Sequence, residues 1–302
     1  MNAAVDVGSN TVRMLLGDCP NGELRPHRYE RQITRLAGGF TAVQGLAEDS
    51  MERTLAVLKQ FADILSTESV ERVRAVGTEA LRRAVNGPAF VQRVRETTGL
   101  PLEIISGTEE AGLMTRGILS VIDPLPENAL LVDIGGASTE LVCVSRGEIL
   151  AQQSYPFGVV RLCDGNADDT QIRGTVAAAL EDIGQQLKST GLVVADCELI
   201  GTAGTVTTLA AIHQQLISYD ASLINNHFIS TDWLKCLEAK LESMTVPERE
   251  ALPGMEKGRG DLILPGLRVV LGLLQDCLRP GIKVADSGLL EGILLETSLL
   301  TD

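Results

Sequence analysis

The chain contains one short pattern twice: an apolar strand ending in an aspartate, a glycine-containing turn, and a second apolar strand. The first copy is Ala4–Gly17 (AVDVGSNTVRMLLG) and the second is Leu131–Val144 (LVDIGGASTELVCV), at a constant offset of 127 residues. The corresponding pairs are Asp6 with Asp133, Gly8 with Gly135, Thr11 with Ser138, and Arg13 with Glu140. Two copies a domain apart indicate duplicated halves rather than two unrelated tight turns.

Each of these turns has the composition of an anion-binding site. Glycine lets consecutive backbone N–H groups turn toward a bound anion, and the aspartate lies where the first strand stops. The residues therefore predict hairpin tips that hold phosphate and a metal ion. A plain tight turn is the alternative for one copy, and the repetition favours binding.

The order of predicted elements gives the fold class. In each half three antiparallel strands precede alternating helices and strands, which is the order of a ribonuclease-H-like domain. The Pro-rich break at 123–126 predicts a boundary between domains 1–123 and 124–302. We predict an α/β protein of two such domains, each with a mixed five-stranded sheet. The final helix, about 288–300, is expected to pack back on the N-terminal domain.

Charge and composition exclude several classes of protein. The net charge of −14 argues against nucleic-acid binding, which favours a basic surface. No apolar run reaches the length of a membrane span, and no signal-peptide pattern follows Met1. The six scattered cysteines are expected to be reduced thiols in a cytoplasmic protein. A polyanionic ligand stays compatible with the charge if a divalent cation and the arginines in 72–95 reverse the local field.

Two further stretches could serve a site. Ser106 and Glu109 fit a capping box at a helix start, which leaves Glu110 without a structural task other than a favourable interaction with the helix dipole. The Gly-rich loop Gly201–Thr205 opens another helix, and its amides, including those of Gly204 and Thr205, could hold an anion. Each signal is weak when taken alone.

Taken together and in order, six motifs resemble one family. They are DVGSN at 6–10, GTEALR at 77–82, ISGTEEA at 105–111, DIGGASTE at 133–140, GTAGT at 201–205 and DSGLLEG at 286–292. Their order is similar to that of the exopolyphosphatase and guanosine pentaphosphatase (Ppx/GppA) family, in its short two-domain form. That family lies in the actin/sugar-kinase/Hsp70 superfamily, with the actin-like ATPase fold. Ala137 and Gly112 depart from the usual family pattern.

The resemblance implies specific roles and an active site in the interdomain cleft. Glu110 is the expected base that activates water, and Arg82 is expected near the terminal phosphate. Mg²⁺ or another divalent cation is expected on Asp133 and Glu140, with Asp6 as a further metal candidate. The implied phosphate-binding residues are Gly8, Ser9, Asn10, Arg13, Gly135, Gly136, Ser138, Thr139, Gly204 and Thr205.

The implied reaction is hydrolysis of the terminal phosphate of inorganic polyphosphate or of guanosine pentaphosphate, and a homodimer is possible. Two alternatives stay open at this point. One is a kinase of the same superfamily that transfers phosphate to an acceptor hydroxyl. The other is a non-catalytic sensor that binds a phosphorylated guanosine alarmone.

Overall fold

The two hairpins form the centres of two separate β-sheets in the computed structural model, which describes residues 1–299. Through residue 120 the elements are β1 (Asn2–Val7), β2 (Thr11–Asp18), β3 (Arg25–Ile33), α1 (Glu48–Thr67), β4 (Arg72–Gly77), α2 (Glu79–Arg83), α3 (Gly87–Thr98), β5 (Leu102–Ile104) and α4 (Gly107–Leu119). They continue with β6 (Asn128–Ile134), β7 (Thr139–Ser145), β8 (Glu148–Tyr155), α5 (Val159–Asp164), α6 (Asp169–Gln186), β9 (Glu198–Thr202), α7 (Ala203–His213), α8 (Ala221–Ile224), β10 (Phe228–Ser230), α9 (Thr231–Glu242), α10 (Val246–Glu250), α11 (Ile263–Asp276), β11 (Gly281–Val284) and α12 (Leu289–Leu299). Leu300, the predicted end of the last helix, lies outside the described residues.

The two sheets repeat one topology. The first has the order β3-β2-β1-β4-β5, and β8-β7-β6-β9-β11 repeats it in the second. In both, the hairpin strands are antiparallel and the next strand pairs in parallel with the first. The prediction of two mixed α/β sheets is confirmed.

The prediction of five strands per sheet is wrong for the second sheet, which has six within residues 1–299. The extra strand is β10, which pairs antiparallel with β11 through Ile229 and Ile282. Its three residues read as a strand in the sequence. Sheet membership depends on pairing with a strand more than fifty residues away, which no local pattern specifies.

By compactness the described chain divides into a first unit, 1–120 with 288–299, and a second unit, 121–287. In the first unit, alternate residues of the strands enter two different cores, as the two-residue period of a strand requires. Val5 and Met14 pack toward α1 and α3 with Phe61 and Phe90. Ala4 and Leu15 pack on the opposite face, toward α4 and α12, so this unit has helices on both sides of its sheet.

Close contact between α4 and α12 fixes the position of α4, the helix that carries Glu110. A Cβ added to Gly117 would overlap the carbonyl of Gly288, and one added to Gly292 would overlap the carbonyl of Leu113. The two backbones therefore touch where both helices have glycine. Leu290, Ile293 and Leu294 of α12 fill the adjoining core.

In the second unit, one face of the sheet carries an aliphatic core of strand and helix residues. Val132 and Leu141 meet Val176 of α6 and Leu267 of α11 in that core. Among residues 1–299, no helix has both the length and the apolar character that a membrane span requires.

Candidate active site

The two hairpin tips have the same hydrogen bond. Gly8 N donates to Thr11 O, and Gly135 N donates to Ser138 O, both at 3.0 Å. A Cβ on Gly135 would lie only 3.0 Å from that carbonyl oxygen of Ser138, which accounts for the glycine. The offset of 127 residues seen in the sequence is thus reproduced in backbone geometry.

The first tip is supported by a salt bridge across the hairpin. Asp6 and Arg13 are opposite each other on β1 and β2, and Asp6 is only 3 % exposed. Arg13 donates to Asp6 Oδ2 through Nη2 at 2.6 Å and Nε at 3.0 Å. Burial is the largest single influence and lowers the pKa of Arg13, but the acidic groups of Asp6, Tyr29 and Glu291 together outweigh it, so the pKa is raised. Arg13, expected as a phosphate ligand, therefore already neutralises a buried carboxylate.

The second oxygen of Asp6 is the feature of this tip that fits a ligand. Asp6 Oδ1 is buried and has no hydrogen-bond partner among residues 1–299. A buried carboxylate oxygen without a partner is costly, so such a group calls for a counter-ion or donor. At the tip itself Ser9 is half-buried and Asn10 is exposed, and their carbonyl oxygens bind the chain segment that follows β3.

At the second tip the same register brings two acidic residues together. Asp133 and Glu140 are opposite each other on β6 and β7, where the first tip has Asp6 and Arg13. Ser138 Oγ and Ser154 Oγ both donate to Glu140 Oε1 at 2.7 Å. Like charges directly opposite on neighbouring strands are unfavourable unless a cation offsets them. The donor set, all oxygen, suits Mg²⁺.

The structure describes no complete protein cage for a metal. Within the described residues, no three His, Cys, Asp or Glu side chains form a group able to hold an ion. Mg²⁺ commonly binds through one or two carboxylates and keeps its other positions for water and substrate phosphates. Asp133 and Glu140 fit that pattern, and the metal remains a prediction.

Thr139 was expected to bind phosphate, and its side chain is used elsewhere. It is fully buried, and its hydroxyl donates to the carbonyl oxygen of Phe157 at 2.6 Å. Ser138, its neighbour, instead donates to Glu140. A side-chain role of Thr139 in phosphate binding would require breaking that buried hydrogen bond.

The loop Gly201–Thr205 carries local strain at the start of α7. Ala203 has a left-handed backbone with φ of +64°, a region that costs about 1–2 kcal/mol for a residue with a Cβ. Thr205 is 2 % exposed. The guanidinium of Arg259, paired with Glu256, lies where a Cβ of Gly204 would stand. No sequence pattern predicts this position for Arg259, whose only local signal is a basic residue between Gly258 and Gly260.

Glu110 and Arg82, predicted as base and phosphate-binding residue, form a contact pair in the first unit. Arg82 Nη1 donates to Glu110 Oε2 at 2.6 Å and to Ile105 O at 3.0 Å. The Glu110 side chain is only 22 % exposed, and the Arg82 side chain is 26 % exposed. Ile105 immediately precedes Ser106, the N-cap residue of α4. Arg82 is therefore bound to the beginning of the same helix that carries Glu110.

The predicted capping box is only half formed. Ser106 Oγ accepts from Glu109 N at 3.1 Å, as predicted. The Glu109 side chain does not return to Ser106 but pairs with Arg74, which also binds Glu103 and Glu296. Arg74 is the stronger partner because it adds the attraction of a full positive charge to the charge-assisted hydrogen bond that a backbone N–H would also give. Glu109 thus connects α4 to β4, while Glu110 faces Arg82.

These features first define a class: a two-unit α/β protein with the actin-like ATPase fold, in which each unit carries a glycine-containing hairpin tip. The chain belongs to the Ppx/GppA phosphatase family, whose model matches residues 20–301. Exopolyphosphatase 2 of Mycobacterium tuberculosis is 34% identical over 313 aligned residues, covering 97% of both chains.

Solved structures agree with this assignment. The Aquifex aeolicus member of the Ppx/GppA family is 29% identical with a TM-score of 0.81, covering 97% of this chain and 96% of that one. An exopolyphosphatase from Cytophaga hutchinsonii is 27% identical with a TM-score of 0.83, covering 97% of each chain.

Proposed function

We propose that this protein is an exopolyphosphatase, a hydrolase that releases the terminal phosphate of inorganic polyphosphate. The observation that carries the proposal is the Glu110–Arg82 pair, because it holds a carboxylate beside a cation suited to bind phosphate. Hydrolysis benefits from a group that orients and deprotonates the attacking water, and a carboxylate can do this. The named activities of the M. tuberculosis and C. hutchinsonii relatives support polyphosphate as the substrate.

In the proposed mechanism Glu110 orients the attacking water and accepts its proton. Cleavage of a phosphoanhydride depends on positioning and charge neutralisation more than on covalent catalysis. Arg82 binds the phosphate under attack, and the amides of the hairpin tips bind phosphate oxygens. A base of this kind contributes roughly 10²–10⁴-fold to the rate.

A divalent cation, proposed as Mg²⁺, would be held by Asp133 and Glu140 in the second unit. When bound, it would neutralise charge on the substrate phosphates. Asp6 is less suited as a ligand, since Arg13 occupies one of its two oxygens and only Oδ1 is without a partner in the described chain. We propose that residues of both units are required for turnover.

The second proposed substrate is guanosine pentaphosphate, which presents the same terminal phosphoanhydride. Its support is membership in a family whose description includes GppA. We further propose that the protein acts in the cytoplasm and does not bind nucleic acid, in keeping with its net charge of −14.

Phosphate release by the purified protein tests the proposal. The substrates are polyphosphates of several lengths, guanosine pentaphosphate and ATP, each with Mg²⁺ and with excess chelator. We expect release from polyphosphate that chelation abolishes, and a sharply lower metal affinity in Asp133→Asn. Asp182→Asn, an acidic residue of α6 bonded to Tyr155, is the charge-matched control.

Three outcomes would contradict the proposal. Full activity in chelator would exclude the metal site. Transfer of phosphate from ATP to an acceptor, with no release from polyphosphate, would identify a kinase. Tight binding of guanosine pentaphosphate without turnover of any substrate would identify a sensor.

A further inference from the structure

The segment that follows β3 is attached to the first hairpin tip by backbone hydrogen bonds. Thr34 N and Arg35 N both donate to Asn10 O, at 3.0 and 2.9 Å, and Ala37 N donates to Ser9 O at 2.9 Å. Residues 34–37 are therefore held against Ser9 and Asn10, the two residues expected to bind phosphate. No local sequence pattern predicts this contact, because the segment lies more than twenty residues after the tip.

Arg35 adopts a backbone conformation that an arginine avoids. Its φ is +50°, in the left-handed region, which is strained for any residue with a Cβ. Glycine would fit without that strain, and glycines stand nearby at Gly38 and Gly39. Strain of this kind next to a binding loop points to a function for the side chain.

The charge of Arg35 is not used within the described fold. Arg13 binds Asp6, Arg82 binds Glu110, and Arg53 donates to Thr34 O and Ser50 Oγ. The Arg35 side chain, by contrast, is exposed and makes no hydrogen bond or ion pair with any residue in 1–299. In a chain of net charge −14, this leaves an uncommitted cation beside the first tip.

We propose that Arg35 is a substrate-binding residue that contacts the phosphate chain at the first hairpin tip. This inference rests on the proposed function and adds a residue that positions the substrate without taking part in bond cleavage. The planar guanidinium binds two phosphate oxygens at once, which favours a chain of phosphates over a single one.

The test compares Arg35 with a second left-handed arginine. Arg146 has a φ of +52°, lies in the turn between β7 and β8, and has a side chain 81 % exposed and paired with Glu127. Arg146→Gln therefore matches Arg35→Gln in charge, exposure and backbone conformation. Arg35→Lys keeps the charge but loses the planar fork, and Arg35→Gly removes the side chain while relieving the strain.

The readouts are KM and kcat for phosphate release from polyphosphate, with unfolding by denaturant as a check on folding. We expect Arg35→Gln to raise KM about tenfold, or about 1.4 kcal/mol of binding, with kcat within about twofold. Arg35→Lys should fall between this variant and the wild type. Arg35→Gly should be at least as resistant to denaturant as the wild type and still show the raised KM, whereas Arg146→Gln should not change KM.

A titration of tripolyphosphate without turnover separates this proposal from the proposed function. Weaker binding by Arg35→Gln than by wild type and Arg146→Gln supports the role of Arg35 even if the wild type releases no phosphate. Equal affinities in all three proteins, a KM unchanged in Arg35→Gln, or the absence of tripolyphosphate binding by the wild type would overturn it. Activity in the wild type together with equal affinities would leave the proposed function standing and the Arg35 proposal refuted.

Discussion

Replacing Glu110 by glutamine tests the proposed base most directly. Glutamine keeps the shape and hydrogen-bonding capacity of the side chain but cannot accept a proton at neutral pH. A general base contributes roughly 10²–10⁴-fold, so kcat should fall by at least about 10²-fold. That loss corresponds to about 2.7 kcal/mol or more in the activation free energy.

The structure also predicts the sign of the change in binding. In the wild type, Glu110 holds Arg82 at 2.6 Å and carries a negative charge close to the expected phosphate. Two charges 4 Å apart near a protein surface interact by about 4 kcal/mol, and the partial exposure of both side chains reduces the net value to about 1 kcal/mol. Glu110→Gln removes the repulsion and releases Arg82, so tripolyphosphate should bind about fivefold more tightly.

Glu109→Gln is the matched control, because it removes the same charge one residue earlier from another carboxylate–arginine pair. Arg74 retains Glu103 and Glu296, so this variant should lose about 1 kcal/mol of stability or less. Its kcat should stay within about twofold of the wild type. The assays are phosphate release at saturating polyphosphate, calorimetric titration with tripolyphosphate, and denaturant unfolding of both variants. Normal turnover by Glu110→Gln, or loss of turnover in Glu109→Gln with Glu110→Gln active, would refute the assignment of the base.

Three further predictions concern stability and are checked by denaturant unfolding. Gly117→Ala should destabilise the protein by about 1–3 kcal/mol, because the new methyl group meets the backbone of α12. In Gly112→Ala, on the same helix, the new methyl group meets nothing within 4 Å, so this variant should be more stable than the wild type by about 0.5–1 kcal/mol. Equal changes in the free energy of unfolding for the two variants would contradict the close backbone contact at Gly117. Ala203→Gly should add about 0.5–1 kcal/mol by relieving the left-handed strain, and a clear loss would show that the strain is absent. His213 Nδ1 and His227 Nε2 are 2.6 Å apart, and burial lowers the pKa of both, with His213 also lowering that of His227. Below about pH 6.5 the unfolded chain therefore binds more protons than the native protein. Stability should fall as the pH drops from 7 toward 5.5, less so in His227→Asn, and a flat profile in the wild type would contradict this.

The sequence pattern was sufficient to predict both hairpins, because the residues that determine each hairpin lie in one short segment. Alternating burial, the glycine at each tip and the register from Asp6 to Arg13 all lie within about a dozen residues, so the sequence contains the whole unit. The repeat at an offset of 127 then predicted the second hairpin, and both turns have the same hydrogen bond.

The roles proposed for the site residues came largely from the resemblance of six ordered motifs. Pattern alone could single out Glu110 only by assigning Glu109 to a capping box. The structure forms the Ser106 half of that box, but the Glu109 side chain binds Arg74, so the prediction was wrong for the Glu109 side chain only. Glu110 is still the residue that pairs with Arg82.

The sequence by itself determined the elements, the duplication and the family, because these depend on residue order and on spacings within single elements. Only the tertiary structure decided which charges meet. Arg13 and Arg82 look in the sequence like cations available to bind phosphate, but in the folded protein each forms an ion pair with a carboxylate. Arg35 looks in the sequence like an ordinary loop arginine. Folding binds its backbone N–H to Asn10 and leaves its side chain without a partner in the described chain. Ion pairing depends on distances of a few ångströms between residues far apart in the chain, and those distances exist only once the strands and helices have packed.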